Sequence, residues 1–399
     1  MIKIGVLKEG KIPVDERVPL VPKQAKSISI KDGVHLIVKR SNVRRIQDEE
    51  YESAGVEMSD AIHGQDILIG VKEVPIEELI EDKTYFFFSH TIKMQPYNRD
   101  LLKAIVEKRI TLIDWECLTD AKGNRLIGFG RYAGIVGAYN GLRMIGLQEN
   151  TFELRKAYDC RDYDELKQEL KKVNLRPLKI ILTGQGKVAR GALEILEALR
   201  IRRVSDTDFL TKTYEEPVFC QITFREYFER MDGEAFDAPT FFKNPTEYQS
   251  NFMRFASVAH FFIAGHYWNS EAPFLFSRED AKNPNFNIEY VADISCDIDG
   301  PVASTIRPST IEDPFYGYDP ITETEVPINV EGAIKVMAVD NLPCELPRDA
   351  SADFGDMFIK SVLPSILNND RDGILKRGSI TRNGEITDQY GYLREWISD

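Results

Sequence analysis

Cysteine is scarce in this sequence, and the few thiols are far apart. Five cysteines occur in 399 residues, and no two of them have the short spacing of a metal site or a redox pair. They are Cys117, Cys160, Cys220, Cys296 and Cys344. Scattered thiols of this kind are typical of a reducing compartment, so we expect a cytoplasmic protein without a cysteine-held metal.

Basic charge and long apolar runs are also in short supply. The formal net charge is −13, which argues against nucleic acid or an anionic membrane as the main partner. No apolar stretch approaches the roughly 20 residues of a transmembrane helix, and Met1–Leu7 predicts a strand rather than a signal peptide. With 43% hydrophobic residues, the composition is typical of a globular protein. The length of 399 residues is enough for two domains.

Three apolar runs in the first third of the chain each lead into a side chain that can exchange protons. Ile-Leu-Ile-Gly-Val leads into Lys72 and Glu73, Tyr-Phe-Phe-Phe-Ser into His90, and Leu-Ile-Asp-Trp into Glu116. The runs predict buried strands, and the helical stretches between them predict βαβ units whose parallel strands end at one edge. A lysine and a glutamate at one strand end are more often solvated. Three such ends on the ligand-binding edge of an α/β sheet favour an acid/base site.

Two arginines are candidate clamps for an acidic substrate. Arg17 lies in the loop after the first predicted strand, on the same edge as Lys72 and His90. A planar guanidinium suits a carboxylate, although a loop arginine is more often solvated. Arg125 lies in the glycine-rich stretch Gly123–Gly134, which we interpret as the crossing into a second domain. A solvated position fits Arg125 equally well.

A second organising motif lies in the middle of the chain. A predicted strand runs into Gly-x-Gly-x-x-Ala, and a predicted helix follows. In such a turn the glycines allow close approach of a pyrophosphate, which binds at the helix N-terminus. The context of strand and helix makes this common pattern moderately specific for a dinucleotide. The predicted cofactor-binding residues of the turn are Gly184, Gly186, Lys187, Val188 and Ala189.

The choice between NAD and NADP depends on the strand after this turn. We predict that strand at Arg202–Ser205, with Asp206 one position beyond it. A carboxylate at this point holds the ribose hydroxyl of NAD and repels the phosphate of NADP, so Asp206 favours NAD. Arg202 and Arg203 are available to attract a phosphate, which leaves NADP as the alternative.

The stretch Phe209–Asp280 is rich in aromatic residues and predicts extra helices inserted into the second domain. His260 and His266 lie among these aromatics and are interpreted as packing residues. Asp293 begins an alternation of aspartates that ends at Gly300. The closing glutamate of a calcium loop is missing, so we predict no metal there.

Several short motifs are spread over nearly the whole chain. They are Gly70-Val71-Lys72, Phe87–Lys93, Leu112-Ile113-Asp114, Phe129–Gly134, Ala292–Ser295, Asp340–Pro343 and Phe354–Met357. Together they resemble the saccharopine dehydrogenase and lysine–2-oxoglutarate reductase family, whose catalytic domain is shared with alanine dehydrogenase. The closer similarity is to the reductase half of the bifunctional lysine-degrading enzyme, and it does not extend to that enzyme's second catalytic module.

The resemblance implies reversible oxidative cleavage of saccharopine to lysine and 2-oxoglutarate with NAD or NADP. In this family the residue matching Lys72 accepts the proton of the secondary amine, and the residue matching His90 acts as acid and base for water. Carboxylates that tune these two groups match Glu73 and Glu116. Positions that contact the substrate match Arg17, Lys93, Arg125 and Phe129, and the position matching Asp293 lies near the nicotinamide.

We therefore predict an α/β protein of two Rossmann-like domains with a cleft between them. The catalytic domain is discontinuous, residues 1–134 plus 345–399, and residues 135–344 form the dinucleotide-binding domain with insertions. The partners are the small molecules named above, with no nucleic acid and no membrane, and the oligomeric state is left open. The alternatives are an alanine-dehydrogenase-like enzyme for a simple amino acid and a dinucleotide-binding protein without turnover.

Overall fold

The computed structural model describes Met1–Ser398 and divides the chain into two compact units. Unit 1 consists of Met1–Phe129 and the described residues from Pro347 onward, and unit 2 consists of Gly130–Leu346. Unit 1 is therefore discontinuous in sequence.

Unit 1 is built on a six-stranded sheet of order β3-β2-β1-β4-β5-β6, in which every neighbouring pair is parallel. Its N-terminal elements are β1 (Ile2–Val6), α1 (Pro22–Ser29), β2 (Val34–Lys39), α2 (Asp48–Ser53), β3 (Glu57–Ser59), β4 (Ile67–Ile69), β5 (Thr84–Phe87), α3 (Arg99–Glu107) and β6 (Thr111–Asp114). The predicted strands before Lys72, His90 and Glu116 are present as β4, β5 and β6.

The central strands are apolar throughout because both faces of the sheet are covered. In β5 the side chains of Tyr85 and Phe87 pack into one core, while those of Phe86 and of Phe88, directly after the strand, pack into another. This alternation follows from the two-residue repeat of a strand. The strand ends can therefore carry polar residues without disturbing either core.

Unit 2 contains an eight-stranded sheet of order β15-β14-β16-β13-β12-β7-β9-β8. The strands from β16 to β8 are parallel, and β14 and β15 are antiparallel at one edge. The elements are α4 (Gly130–Glu149), α5 (Tyr163–Glu169), β7 (Lys179–Thr183), α6 (Lys187–Ala198), β8 (Arg202–Arg203), α7 (Asp206–Thr211), β9 (Val218–Ile222), α8 (Phe224–Tyr227), β10 (Phe228–Arg230), α9 (Ala238–Lys243), β11 (Tyr248–Ser250), α10 (Met253–Ala256), β12 (Phe261–Ala264), α11 (Arg278–Ala281), β13 (Tyr290–Asp293), β14 (Phe315–Asp319), β15 (Thr324–Val326) and β16 (Ile334–Met337).

Helices α4 and α6 are in very close contact in unit 2. A Cβ atom at Gly134 would lie 1.9 Å from the carbonyl oxygen of Val188, so no side chain fits at this position. The helix α4 begins at Gly130, so the last part of the glycine-rich stretch Gly123–Gly134 is helical. In this helix Arg131 pairs with Glu194, at 2.7 Å.

Two predictions about unit 2 are wrong. The stretch Phe209–Asp280 is not a set of inserted helices alone, because it contains β9 and β12, which both flank β7 in the main sheet. The strand next to β7 is accordingly β9, whereas the predicted second strand at Arg202–Ser205 is reduced to the two residues of β8 at the sheet edge. Both errors arise because β9 and β12 are short apolar runs without a helical or strand-like repeat.

The chain returns to unit 1 after β16. The returning elements are α12 (Pro347–Met357), α13 (Leu363–Leu367), α14 (Ile374–Gly378), β17 (Thr381–Arg382), β18 (Glu385–Ile386) and α15 (Leu393–Ser398). Phe354 and Phe358 of this segment pack edge-on against Trp115, which follows β6. In the described part of the chain, Met1–Ser398, no helix combines the length and the apolar character needed to cross a bilayer.

Candidate active site

The carboxyl edge of the unit 1 sheet collects the residues that follow β1, β4, β5 and β6. Strand β1 lies between β2 and β4, so the chain leaves it toward one side and later returns on the other. Ligands of open α/β sheets bind at such a reversal of strand order. The segment after β1 packs along the segment after β4, because Leu7 donates its N–H to Ile69 at 2.8 Å.

Glu73 lies between two cationic or titratable groups at this edge. Its Oε2 atom is 2.8 Å from the Nζ atom of Lys11, and its Oε1 atom is 2.7 Å from Nδ1 of His90. Burial alone would raise the pKa of Glu73, but the hydrogen bonds from His90 and Lys11 hold it at about 2. An ionised carboxylate only accepts hydrogen bonds, so Nδ1 of His90 carries the proton and Nε2 can take up another.

His90 is held in an unusual backbone conformation. Its φ angle is 54°, in the left-handed region, which costs about 1–2 kcal/mol for a residue with a Cβ atom. The preceding residue is fixed by Asp114 at the end of β6, which accepts hydrogen bonds from Ser89 N at 2.8 Å and Ser89 Oγ at 2.5 Å. Asp114 is fully buried, and this burial raises its pKa. The loop that carries His90 is thus tied to the neighbouring strand.

Lys72 follows β4, and its backbone is fixed by Glu9. The peptide N–H of Lys72 donates to Oε2 of Glu9 at 2.8 Å, and that of Val71 donates to Oε1 at 2.7 Å. The Glu9 side chain is nearly inaccessible to solvent, with 6% of the residue exposed. Lys72 therefore leaves the sheet from a position held by a carboxyl group in the segment that follows the adjacent strand β1.

Arg17 is buried and has a carboxylate partner in its own loop. Its Nε and Nη2 atoms donate to the two carboxylate oxygens of Asp15 at 2.9 and 2.6 Å, and its guanidinium lies 4.1 Å from the ring centre of Phe129. Burial alone would raise the pKa of Asp15, but Arg17 and the nearby charge of Lys72 hold it at about 2. The arginine predicted as a clamp is thus oriented by Asp15 and by an aromatic ring.

Glu116 lies between two partly exposed cations. Its carboxylate oxygens are 3.7 Å from Nζ of Lys93 and 3.6 Å from Nη1 of Arg125. These distances exceed those of a good hydrogen bond, so the three groups form a loose arrangement. A substrate carboxylate could replace Glu116 as the partner of either cation.

An aromatic wall lies beside these charges. Phe88 has its ring centre 6.4 Å from the ring of His90 and 6.0 Å from that of Phe129. Phe129 in turn stacks on Phe354 of α12 at 4.7 Å. The wall gives the edge an apolar surface next to its cationic groups.

The structure brings the residues predicted for catalysis and substrate binding to this one edge of unit 1. They are Arg17, Lys72, Glu73, His90, Lys93, Glu116, Arg125 and Phe129. The sequence analysis assigned no individual role to Glu9, Lys11, Asp15, Asp114 and Phe354, although Asp114 and Phe354 lie in two of its motifs. Of these, only Asp15 could have been found from sequence, since a carboxylate two residues before an arginine clamp is a local signal.

The predicted dinucleotide turn lies in unit 2, between β7 and α6. Gly184 has a φ angle of 94°, and a Cβ atom there would lie 2.6 Å from the carbonyl oxygen of Gly265. Gly186 caps α6, and a Cβ atom there would meet no atom within 4 Å. Ala189 is buried against Gly265, while Lys187 lies exposed at the helix start. The turn therefore leaves room for a phosphate group at the free N–H groups of α6.

His266 is a buried histidine behind this turn. Its Nδ1 atom is 2.7 Å from Thr183 Oγ1, its ring stacks on Phe262, and Nε2 has no hydrogen-bond partner among residues 1–398. Burial lowers the pKa of His266 to about 4. Its interpretation as a packing residue agrees with this environment.

The protonation of His266 should make unit 2 less stable in acid. Between pH 6.5 and about 4 the unfolded chain binds a proton that the folded protein excludes, so stability falls as the pH falls through this range. At about 1.4 kcal/mol per pH unit, the free energy of unfolding should drop by about 2 kcal/mol from pH 6.5 to pH 5 on this account. Urea denaturation of wild type and His266→Gln at both pH values measures the difference, and the exposed His63→Gln change serves as control. Equal slopes in wild type and His266→Gln would contradict the assignment.

A cavity of about 580 Å³ lies at the carboxyl ends of β8 and β9. It adjoins the glycine turn, because Gln221 Nε2 donates to the carbonyl of Gly184 at 2.9 Å. Its lining includes Arg203, Asp206 and Glu226. Strand β9, and not β8, is the neighbour of β7, and Glu226 lies in α8, four residues after β9. One oxygen of its carboxylate accepts hydrogen bonds from Thr223 N and Thr223 Oγ1 at 2.7 and 2.8 Å.

Asp293, the other predicted cofactor residue, is fully buried at the end of β13. Its carboxylate accepts hydrogen bonds from Ser295 Oγ and Thr305 Oγ1, both at 2.6 Å, and from two peptide N–H groups. Burial raises the pKa of Asp293, although these hydrogen bonds act to lower it. The structure thus shows Asp293 holding the loop after β13.

Comparisons with known proteins identify the class first. Residues 5–136 match the family model described as alanine dehydrogenase/PNT, N-terminal domain. An L-alanine dehydrogenase structure covers 99% of this chain and 100% of its own, with a TM-score of 0.67 at 15% identity. A transhydrogenase from Sinorhizobium meliloti gives a TM-score of 0.56 at 14% identity, covering 96% and 98% of the two chains. The chain has the Rossmann-like, alanine dehydrogenase-like α/β fold, as predicted.

Sequence relatives narrow the class. The alpha-aminoadipic semialdehyde synthase of Mus musculus is 31% identical over 96% of this chain and 46% of its own length. The saccharopine dehydrogenase [NAD(+), L-lysine-forming] of Emericella nidulans is 24% identical over 93% of both chains. The chain is similar over nearly its whole length to saccharopine dehydrogenases and aminoadipic semialdehyde synthases, as the motifs predicted. It spans less than half the length of the Mus musculus relative.

Proposed function

We propose that the protein is an NAD(P)-dependent oxidoreductase acting on a CH–NH group, a saccharopine dehydrogenase (L-lysine-forming) or lysine–2-oxoglutarate reductase. It converts saccharopine, NAD(P)⁺ and water into L-lysine, 2-oxoglutarate and NAD(P)H, reversibly. The observation that carries the proposal is the hydrogen-bonded set of Lys11, Glu73 and His90 beside Lys72. In this proposal unit 1 binds the amino-acid substrates and unit 2 the dinucleotide.

Lys72 acts as the base for the secondary amine of saccharopine. Removal of the amine proton would allow hydride loss from the adjacent carbon, and a nicotinamide dinucleotide held at the Gly184–Ala189 turn would supply the hydride acceptor. The product of this step is an imine between the lysine and 2-oxoglutarate portions. The buried carboxyl groups of Glu9 and Asp15 lie near the end of β4, so the partly exposed Lys72 works beside charged groups.

His90 acts as the base and then the acid in the steps that involve water. Its Nε2 atom accepts a proton as water attacks the imine carbon, and later returns a proton to the departing lysine amine as the carbinolamine collapses. Glu73 holds Nδ1 protonated throughout, since its own pKa is about 2. The orientation of the ring by Glu73 and Phe88 keeps Nε2 directed to one position.

The substrate carries several carboxylates, and unit 1 supplies cations for them. Arg17, Lys93 and Arg125 are proposed as the clamps, and Phe129 packs along the aliphatic chain. The loose contacts of Glu116 with Lys93 and Arg125 allow exchange for a substrate carboxylate at little cost.

The dinucleotide fits the turn in unit 2. The open position of Gly186 and the start of α6 would hold the pyrophosphate, with Lys187 and Val188 at the same turn. Asp206 and Glu226 both line the adjoining cavity. Two carboxylates oppose a 2′-phosphate more than Arg203 attracts one, so NAD is the proposed cofactor and NADP the alternative.

A spectrophotometric assay tests the proposed reaction. NADH or NADPH should be consumed only when L-lysine and 2-oxoglutarate are both present. Replacement of this pair by pyruvate and ammonium tests the alanine-dehydrogenase-like alternative in the same assay. Absence of turnover with every pair, together with intact dinucleotide binding, would favour a binding protein instead.

The cofactor preference should depend on Glu226 and on Asp206. A charged hydrogen bond to the ribose is worth about 1.5–3 kcal/mol, which corresponds to about tenfold or more in affinity. We expect Glu226→Gln and Asp206→Ala to lower the ratio of kcat/KM for NADH to that for NADPH by this factor, with the larger change at Glu226. Glu216→Gln, outside the cavity lining, is the control. An NADPH preference that neither change alters would contradict the assignment.

A further inference from the structure

Glu9 is a buried carboxyl group for which the proposed reaction gives no role. It lies three residues beyond β1, and the residue is 6% exposed. Isolated buried carboxyl groups are unfavourable unless they accept hydrogen bonds. Both carboxyl oxygens of Glu9 accept hydrogen bonds from one short stretch of backbone, the peptide N–H groups of Val71 and Lys72.

The arrangement is a bridge between two strand ends. Strand β4 stops at Ile69, and Lys72 begins a segment with no strand partner on that side. One oxygen of Glu9 receives the N–H of Val71 and the other receives that of Lys72, at 2.7 and 2.8 Å. These two bonds hold the peptide groups on both sides of Val71, and the second of these groups leads directly into Lys72.

Neighbouring contacts hold the Glu9 bridge in place. Lys11, two residues after Glu9, binds Glu73, and a Cβ atom at Gly10 would lie 2.7 Å from Pro75. The segment of Glu9 therefore lies directly against the segment of Lys72. The charged groups around Glu9 are Asp15, which raises its pKa, and Arg17, which lowers it.

We propose that Glu9 is a positioning residue, which holds the backbone at Val71 and Lys72 so that the Lys72 amine is directed to the substrate. This inference rests on the proposed role of Lys72 as the base. Displacement of a reacting group by about 1 Å can cost a hundredfold in rate. Loss of the bridge should therefore act on kcat and leave the binding of dinucleotide unchanged.

The test compares Glu9→Gln with Glu345→Gln. Glu345 is also a buried carboxyl group, with its hydrogen bond to Asn140 in unit 2, and it is the matched control for loss of a buried charge. Glu9→Gln keeps one acceptor but turns the other into an N–H donor facing a peptide N–H. We expect kcat to fall about tenfold to a hundredfold in Glu9→Gln, with KM for NADH unchanged, and little change in Glu345→Gln.

Two readouts do not require turnover. Hydrogen exchange of a peptide that contains Val71 and Lys72 should be slow in wild type and faster in Glu9→Gln. The pH dependence of Lys72 acetylation by an N-hydroxysuccinimide ester, followed by mass spectrometry, should be shifted in Glu9→Gln and not in Glu345→Gln. Burial, with Asp15 nearby, raises the pKa of Glu9 to about 8, so wild type should show an inflection near that pH that the variant lacks.

Several results would overturn the proposal. Fast exchange at Val71 and Lys72 in wild type would contradict the two hydrogen bonds to Glu9, and this measurement needs no variant. Unchanged kcat and an unchanged acetylation profile in a folded Glu9→Gln or Glu9→Asp protein would reduce Glu9 to a structural residue. If wild type shows no turnover with lysine and 2-oxoglutarate, the proposed function fails, while the exchange and acetylation results still decide the role of Glu9.

Discussion

Replacement of Lys72 by methionine and of His90 by glutamine in one protein should abolish turnover with lysine and 2-oxoglutarate. Each side chain is proposed to move a different proton, and loss of an acid/base group costs about a hundredfold or more in rate. NADH should bind the double variant with near wild-type affinity, because the glycine turn lies in unit 2. Steady-state kinetics and a fluorescence titration with NADH measure the two effects.

The control for this result carries the same chemical changes elsewhere in unit 1. Lys23→Met with His63→Gln alters two exposed side chains and should leave kcat unchanged. A double Lys72→Met and His90→Gln protein that kept near wild-type turnover would show that the reaction does not use these groups. Loss of NADH binding in that protein would point to a folding defect instead.

Arg17→Ala should have a double effect, on stability and on substrate binding. The change leaves the buried carboxylate of Asp15 without its bidentate partner, which typically costs about 3–5 kcal/mol in the free energy of unfolding. It should also raise KM for 2-oxoglutarate, because a charge-assisted contact is worth about 1.5–3 kcal/mol. KM for NADH should not change. Urea denaturation and steady-state kinetics give the two values.

A second change separates the two effects of Arg17. Asp15→Ala added to Arg17→Ala removes the unpaired charge and should recover part of the stability, but not the affinity for 2-oxoglutarate. Arg44 is a matched control, because it is also buried and lies over an aromatic ring, that of Tyr51, at 4.6 Å. Arg44→Ala should lower stability without raising KM. An unchanged KM for every carboxylate substrate in Arg17→Ala would remove Arg17 from the site.

The edge that carries Lys72, His90 and Glu116 could be predicted from sequence because each residue follows closely on a short apolar run. The rule that parallel strands share one carboxyl edge then places the ends together without knowledge of any contact. The partners of these residues could not be predicted in the same way. Lys11 and Glu73 are 62 positions apart, and their contact depends on β1 and β4 being neighbours.

The errors in unit 2 have a related cause. The run Phe261–Ala264 is a completely buried strand, and Val218–Ile222 is buried except at Gln221. Four apolar residues in each run, among many aromatics, have no diagnostic repeat. The strand at Arg202–Arg203 has both residues exposed and lies at the sheet edge, a position that the sequence pattern does not reveal. As a result the carboxylate at the strand beside the glycine turn was sought at Asp206, and Glu226 was overlooked.

The return of the chain to unit 1 through α12 affects how the protein is made. Phe354 contacts Phe129 and Phe88, and Ser351 Oγ accepts the N–H of Val18 across 333 positions of sequence. During synthesis the first strands of unit 1 must wait, with their apolar faces partly uncovered, until all of unit 2 has been translated. Contacts of such long range fold slowly. A ribosome stalled anywhere within unit 2 would therefore carry a nascent chain whose aromatic wall lacks Phe354 and whose unit 1 sheet lacks α12.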